Sequence, residues 1–257
     1  MEKTKTKALK TKGEKVSLWK TFLDSEFFFN YRHNYSAIAG SILVLIAIFI
    51  AVFGKFLAPQ NPYDLSQINL ADAYLPPAWL SGGDSRFLLG TDDQGRCILS
   101  AIIYGSVSSL TIGLVGMMAS CLIGTTLGLI SGYYGGKIDS IIMRIADIQL
   151  SFPSMLIALF IMSMFGRGID KLLIALTMVG WVTYARTVRG ETLSVRKKEY
   201  VEAARTIGIP NYQIILKHIL PNVVTSVIVL ATIQVGNFIL TEATLSFLGV
   251  GVPITEP

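Results

Sequence analysis

The chain has 257 residues, of which 52% are hydrophobic and only 15% charged, with a net charge of +5. It is too apolar for a soluble domain of this size, so the composition points to a membrane protein. Its two cysteines, Cys97 and Cys121, cannot form a disulfide framework, and redox chemistry is not expected of them.

Residues 1–35 hold seven lysines and Arg32 against four acids. Attached to a span, such a tail reads as a cytoplasmic topology signal that also favours anionic lipid, rather than as a nucleic-acid arm. Residues 36–54 then run 19 positions without a charge, and at ~1.5 Å per residue they cover most of a ~30 Å hydrocarbon core. The run is too long for a signal-peptide apolar region and lacks a small-x-small cleavage site before Lys55, so 36–58 is read as a retained first span. The loop 59–100 has two basic residues and five aspartates. The core, 101–257, carries four more apolar segments, at 110–131, 148–165, 172–185 and 223–240.

Basic residues set the orientation. The segment 186–222 carries seven, so it and the N-terminal tail are expected in the cytoplasm, with 59–100 outside. The expected fold class is therefore an all-α, polytopic helical bundle with five spans visible. The apolar C-terminal stretch TEATLSFLGVGVPITEP leads to the expectation of a sixth span beyond this chain.

In the second span small residues recur every fourth position: Gly116, Ser120, Gly124, Gly128, Gly132 and Gly136. They form one smooth face where another helix backbone can come close, either within the bundle or at a dimer interface. Polar groups in or near the apolar zone are Arg144, Asp147, Gln149, Pro153, Gln234, Asn237 and Glu242. Such groups are costly in lipid and make a transport path the default hypothesis. Arg144 and Asp147 are spaced to pair with each other at an interface. Gln234 and Asn237 are candidates to line a path, with interhelical hydrogen bonding as the alternative. Pro153 is expected to bend the third span.

The cytoplasmic stretch EYVEAARTIGIPNYQIILKHILPN, residues 199–222, carries two break signals. Residues 198–207 predict a short helix that ends at Gly208 as its C′ residue. Ile209 and Pro210 prevent continuation, Asn211 is expected to cap a second helix, and Pro221 opens the fifth span. Glu199 and Glu202 suit the positive end of the first helix. The product is a rigid elbow with a slim helix, made to enter a groove on another protein or to rest on lipid.

Glu202-Ala203-Ala204, Gly208 and Leu220-Pro221 at this spacing resemble the EAA motif of binding-protein-dependent ABC import permeases. The family's usual isoleucine two residues before the leucine is His218 here, read as an interfacial residue and not a ligand. LPPAW (75–79), LLGTDDQGRCILSAIIYG (88–105), GYYGGKID (132–139), RIADIQLSFPSML (144–156) and EATLSFLGVG (242–251) resemble the second permease subunit of dipeptide, oligopeptide and nickel importers. The resemblance covers nearly the whole chain from about Phe27. Departures are Cys97 where the family commonly has Asp in GRD, Ser100-Ala101 for SR, and Gly105-Ser106-Val107 for GAR. The family also continues past LSFLG with a Trp-Gly-containing loop and a sixth span.

The resemblance implies the type I ABC importer permease fold in the inner (plasma) membrane. It implies as partners a second homologous permease subunit, two cytoplasmic ATPase subunits and an external solute-binding protein, with membrane lipid around the bundle and no nucleic acid. It places ATPase-subunit coupling on Glu202, Ala203, Ala204, Gly208, Leu220 and Pro221, and ATP and Mg in the ATPase partners. The chain itself has no GxxxxGK[ST] phosphate loop, HExxH or clustered His/Cys metal site, so no catalytic residue or metal ligand is assigned. Short peptides are the expected cargo, with nickel or another small solute as the alternative. A secondary transporter would need ionisable pairs near the midplane and often an internal repeat. A membrane-anchored enzyme would need a nucleophile or metal constellation; the adjacent Asp92 and Asp93 point apart and read as a solvated loop.

Overall fold

A computed structural model describes residues 31–64 and 66–251. Most of the basic tail and the last six residues of the C-terminal stretch lie outside the described residues. The chain divides into two units, through residue 50 and from residue 51. Among the described residues every regular element is helical, apart from a single antiparallel bridge between Thr91 and Cys97.

In the first unit the described residues belong mostly to helix α1, Tyr35–Leu57, which runs on into the second. The Asn34 carboxamide accepts from the Ala37 N–H at 3.1 Å, a side-chain cap on one of the donors that a helix start leaves free. Apolar side chains such as Leu43, Val44 and Leu45 stay more than half exposed, as expected of a helix solvated by hydrocarbon.

The second unit is built on α2, Ile98–Tyr134, and α5, Ile169–Val195. Between them lie α3, Gly136–Leu150, and α4, Ser154–Phe165. After α5 come a short α6, Glu199–Thr206, and a long α7, Asn211–Phe247. By length and apolarity α1, α2 and α7 can each cross a membrane, and the bent pair α3–α4 makes a fourth candidate. Helix α5 has the length, at 27 residues, but Arg186, Arg189 and Glu191 in its C-terminal half lower its apolarity.

The small-residue face of α2 packs against α5. A Cβ on Gly124 would collide with the Trp181 carbonyl oxygen and stand 2.6 Å from the Tyr184 Cβ. Gly128 meets the Ala185 carbonyl and Val188 in the same way, and Gly132 meets Thr192. Gly116 faces Leu176 and Phe238, and Ser120 is fully buried. The bundle reading of the ridge therefore holds for five of its six positions, since Gly136 lies beyond α2 in open space.

The expected third span, 148–165, is not one helix. Its segment crosses a break at Ser151–Pro153, where α3 and α4 meet at 88°. Pro153 has no N–H to continue α3 and stands at the N-cap of α4, so the expected bend is a full break.

Three buried clusters fill the bundle. One gathers Leu129, Val188, Val201, Ile214 and Val223 near the α6 end, another Ile112, Met162, Leu172, Leu176 and Phe238 near the opposite end. The third packs Trp181 and Ala185 of α5 against Ala146 of α3.

Gly124→Val should overpack the α2–α5 contact and destabilise the fold by about 3 kcal/mol or more. Gly190→Ala, on α5 with nothing within 4 Å of its added Cβ, should be neutral or slightly stabilising. Thermal unfolding of the two detergent-solubilised variants measures both, and equal melting profiles would contradict the close approach.

Candidate functional site

The elbow between α6 and α7 is built by its sequence. Glu199 and Glu202 occupy the first turn of α6 and Arg205 the last, each at the end of the helix dipole that favours its charge. Gly208 has φ +86°, in the left-handed region where a side chain is strained. Around it the Gly208 N–H donates to the Arg205 carbonyl and the Ile209 N–H to the Ala204 carbonyl, at 3.1 Å each. That 5→2 and 6→1 pair is a Schellman motif, so Gly208 is the C′ residue the sequence predicts. Pro210 stands at the N-cap of α7.

Helix α7 widens almost at once: residues Ile215–Ile219 form a π-helical turn before α-helix resumes at Leu220. Pro221 has no N–H to donate to the Lys217 carbonyl, and its ring would clash with that carbonyl in a regular α-turn. The widened turn gives the ring room, so the proline sits in the first turn of the resumed helix with no chain break. The expectation that Asn211 caps this helix is not met. Its carboxamide oxygen instead accepts from the Tyr133 hydroxyl at 2.7 Å, because that phenol, at the buried end of α2, reaches it.

The two faces of α6 differ. Val201 is fully buried and Ala204 95% buried, both in the chain's own cluster with Leu129, Val188 and Val223. Glu202, Ala203, Thr206 and Gly208 are exposed, and Ile207 is 80% exposed. Of the two alanines only Ala203 is on the outer face; the close approach that Ala204 permits is internal. Leu220 and Pro221 are partly exposed or exposed at the start of the resumed helix.

Groups that the sequence reading counted only as charges hold this seat. The Arg205 guanidinium lies 5.4 Å from the centre of the Tyr133 ring. Arg196 Nη1 donates to the carbonyls of Gly132 and Tyr133 at 2.9 Å each, which satisfies free acceptors at the end of α2. Arg189 grips Asp139 through Nε and Nη2 at 2.5 and 2.6 Å, and Ser131 donates to the same carboxylate. Ser226 of α7 donates to Glu191 of α5. Asp139 stands within the motif GYYGGKID, a signal that could have found it; Tyr133 offered none beyond its place there.

The polar groups within the bundle are mostly engaged with other helices. Asp147 pairs with Arg186 of α5, not with Arg144, because the α5 guanidinium reaches the carboxylate first. Gln149 donates to the carbonyls of Met178 and Val179 at 2.7 and 3.2 Å and accepts from Trp181 Nε1 at 2.9 Å. It therefore ties the α3–α4 break to α5. Asn237 is exposed and donates to the oxygen of the buried Gln234 at 2.9 Å. Glu242, 92% buried, accepts from Ser109 of α2 and from Ser246. The His218 ring stands 6.4 Å from that of Tyr200.

At the other end of the bundle, Gln60 anchors the 59–100 loop. Its N–H donates to Ser100 Oγ, its amide donates to the Gln67 carbonyl, and its oxygen accepts from the Cys97 N–H. Cys97 is fully buried at the N-cap of α2 and makes no side-chain cap bond. Partial burial raises the Asp92 carboxyl, but the Arg96 and Gln94 N–H groups and the Arg96 guanidinium outweigh it and hold its pKa below the usual carboxylate range.

What the arrangement offers is a braced elbow with one large apolar residue, Ile207, facing outward. Residues 124–257 match the family model described as the binding-protein-dependent transport system inner membrane component, and residues 17–77 that described as the N-terminal TM domain of oligopeptide transport permease C. The chain is 38% identical over 232 residues to the dipeptide transport system permease protein DppC of Haemophilus influenzae, covering 90% of this chain and 78% of that one. It is 38% identical over 246 residues to the oligopeptide transport system permease protein OppC of Bacillus subtilis, covering 96% and 76%. The glutathione transport system permease protein GsiD of Escherichia coli is 34% identical over 235 residues, 90% of this chain and 74% of that one.

Asn211→Ala leaves the Tyr133 hydroxyl without its partner and should lower stability by about 1 kcal/mol. Combined with Tyr133→Phe, the loss should shrink, since neither group is then stranded; melting of the single and double variants decides it. Because the Asp92 pKa is lowered in the folded loop, the stabilisation it supplies is present above the unfolded value of ~4 and fades as pH falls through the folded value. Hydrogen exchange at Gln94 and Arg96 should therefore be flat from pH 5 to 8, after correction for intrinsic rates, and lose protection below pH ~4.

Proposed function

The chain belongs to the family of binding-protein-dependent transport system inner membrane components, and on that premise we propose that it is a permease subunit of an ATP-driven importer of short peptides. The observation that carries the coupling part of this reading is the elbow: a helix pinned to three others on one face and presenting Ile207, Ala203 and Glu202 outward on the other. A pinned lever is what a partner needs in order to move a bundle. The peptide part rests on relatives whose names record dipeptide, oligopeptide and glutathione transport.

In this proposal two cytoplasmic ATPase subunits bind ATP and Mg and hydrolyse the nucleotide. Ile207 seats in a cleft of one ATPase, Ala203 permits close approach there, and Glu202 adds a charge-assisted contact. Gly208 sets the elbow angle, and Leu220 and Pro221 fix how α7 leaves it. Closure of the ATPase pair pulls α6, and its seat on the ends of α2, α5 and α7 carries the motion into the bundle. A second, homologous permease completes the path, and a solute-binding protein delivers cargo on the side of the 59–100 loop. The N-terminus then lies in the cytoplasm and the chain crosses the inner membrane several times. Asn237, exposed on α7 and steadied by Gln234, is the path-lining candidate.

Gly208→Val forces a β-branched residue to φ +86°, a strain on the order of 1–3 kcal/mol that should deform the elbow. Together with Glu202→Lys it should leave the chain in the membrane but abolish transport-coupled ATP hydrolysis in the assembled complex. Co-purification of the ATPase subunits with unchanged import would sink the coupling assignment, while leaving family membership intact.

A further inference from the structure

The depth of the α3–α4 corner can be read from its contacts. Gln149, just before the corner, donates to the carbonyls of Met178 and Val179 on α5. The next α5 residue, Gly180, faces α2, since a Cβ there would stand 2.7 Å from the Ser120 hydroxyl oxygen. Ser120 lies at the middle of the apolar segment 110–131. The corner at Ser151–Pro153 therefore sits close to the centre of the hydrocarbon core.

Two independent features at this depth are at odds with a lipid surround. The first is backbone. Ser151, Phe152, Pro153 and Ser154 are all exposed. Among the described residues the N–H groups of Ser154 and Met155, and the carbonyls of Leu150, Ser151 and Phe152, have no hydrogen-bond partner. Non-helical backbone at membrane depth persists only where protein or water solvates it. The second feature is charge. Asp147 pairs with Arg186, yet the two side chains stay 56% and 50% exposed. Counted from Gly180 along α5, Arg186 is about 9 Å toward the elbow end, within a hydrocarbon half-thickness of about 15 Å. Thr183, also exposed, stands one turn away from it on α5. The pair neutralises itself and calls for no charged partner, but the free backbone groups and the open half of each charged side chain still need solvation. Water meets all of them at once, whereas a dry protein contact needs a matched partner for each.

From the free backbone groups and the half-exposed ion pair at one depth, we propose that the α3–α4 corner is this chain's wall of a water-filled path, and that Asp147 and Arg186 face the cargo as it passes. The cargo part rests on the importer reading above; the water-filled part does not. Because the pair is neutral, the wall admits short peptides of either charge. Loss of one partner gives it a sign: Asp147→Asn leaves the Arg186 guanidinium unmatched, and the wall then repels cationic peptides.

The test uses the complex assembled with its ATPases and second permease in sealed proteoliposomes. Ser154→Cys, in a Cys121→Ser background, is treated with a charged, membrane-impermeant thiosulfonate, at rest and with nucleotide trapped. In at least one state it should label about tenfold faster than Leu43→Cys on the hydrocarbon-exposed face of α1. Labelling no faster than Leu43→Cys in both states would overturn the proposal, since the corner would then be covered by lipid or by another chain. Import is followed as the ratio of trilysine to trialanine uptake. Asp147→Asn should lower that ratio about fivefold and Arg186→Gln should raise it about fivefold, the worth of one unit charge at close range in water. The double variant should return it to the parent value. Slower import of both peptides at an unchanged ratio would reduce the pair to a structural brace and overturn its cargo-facing role. A parent complex that imports neither peptide would sink the importer reading alone, and the labelling would still decide whether the wall is wet.

Discussion

The close approach of α2 and α5 governs the rest of the bundle. Within hydrocarbon there is no hydrophobic force to press two helices together, so contact must come from packing, and packing is strongest where no side chain keeps the backbones apart. Gly124, Gly128 and Gly132 remove that obstacle at successive turns, and α5 lays its carbonyl-bearing backbone into the space. With α5 held this close, Arg189 and Arg196 reach the end of α2 and the start of α3, and Val188 and Val195 complete the apolar seat on which α6 rests. An α5 displaced by one methyl group would lose those reaches together.

The elbow depends on this arrangement. Its eight-residue helix is too short to be stable alone. Val201 and Ala204 give it an apolar footing, and Tyr133 joins it to α7, its ring facing Arg205 and its hydroxyl donating to the Asn211 carboxamide oxygen. A motion imposed on the exposed face would reach three long helices through a few packed side chains, without needing the helix itself to bend.

Much of this was legible in sequence, because the signals were local. The four-residue period of small side chains and the Gly208 stop each follow from one stretch of chain. What was not legible came from long-range partners. Asn211 looked like a cap because it precedes a helical run, but a tyrosine 78 positions earlier claims its oxygen. Asp147 looked paired with Arg144 by spacing, but Arg186 lies closer in the fold. The break at Ser151–Pro153 was expected only as a bend, since proline in a single stretch does not say how far the chain turns, and the contacts of Gln149 with the Met178 carbonyl and Trp181 Nε1 beside it come from α5, far along the chain.

The π-helical turn at Ile215–Ile219 has a consequence of a different sort. Each residue of an α-helix advances the side chains by ~100° around the axis, and a widened turn absorbs one residue beyond that count. The direction in which the elbow faces, and with it the heading of Ile207, is thus set by the number of residues between the Pro221 ring and Gly208. Loss of a single residue from this turn would leave the composition of the elbow almost unchanged yet point it about a quarter-turn away, so this segment tolerates substitution far better than a change of length.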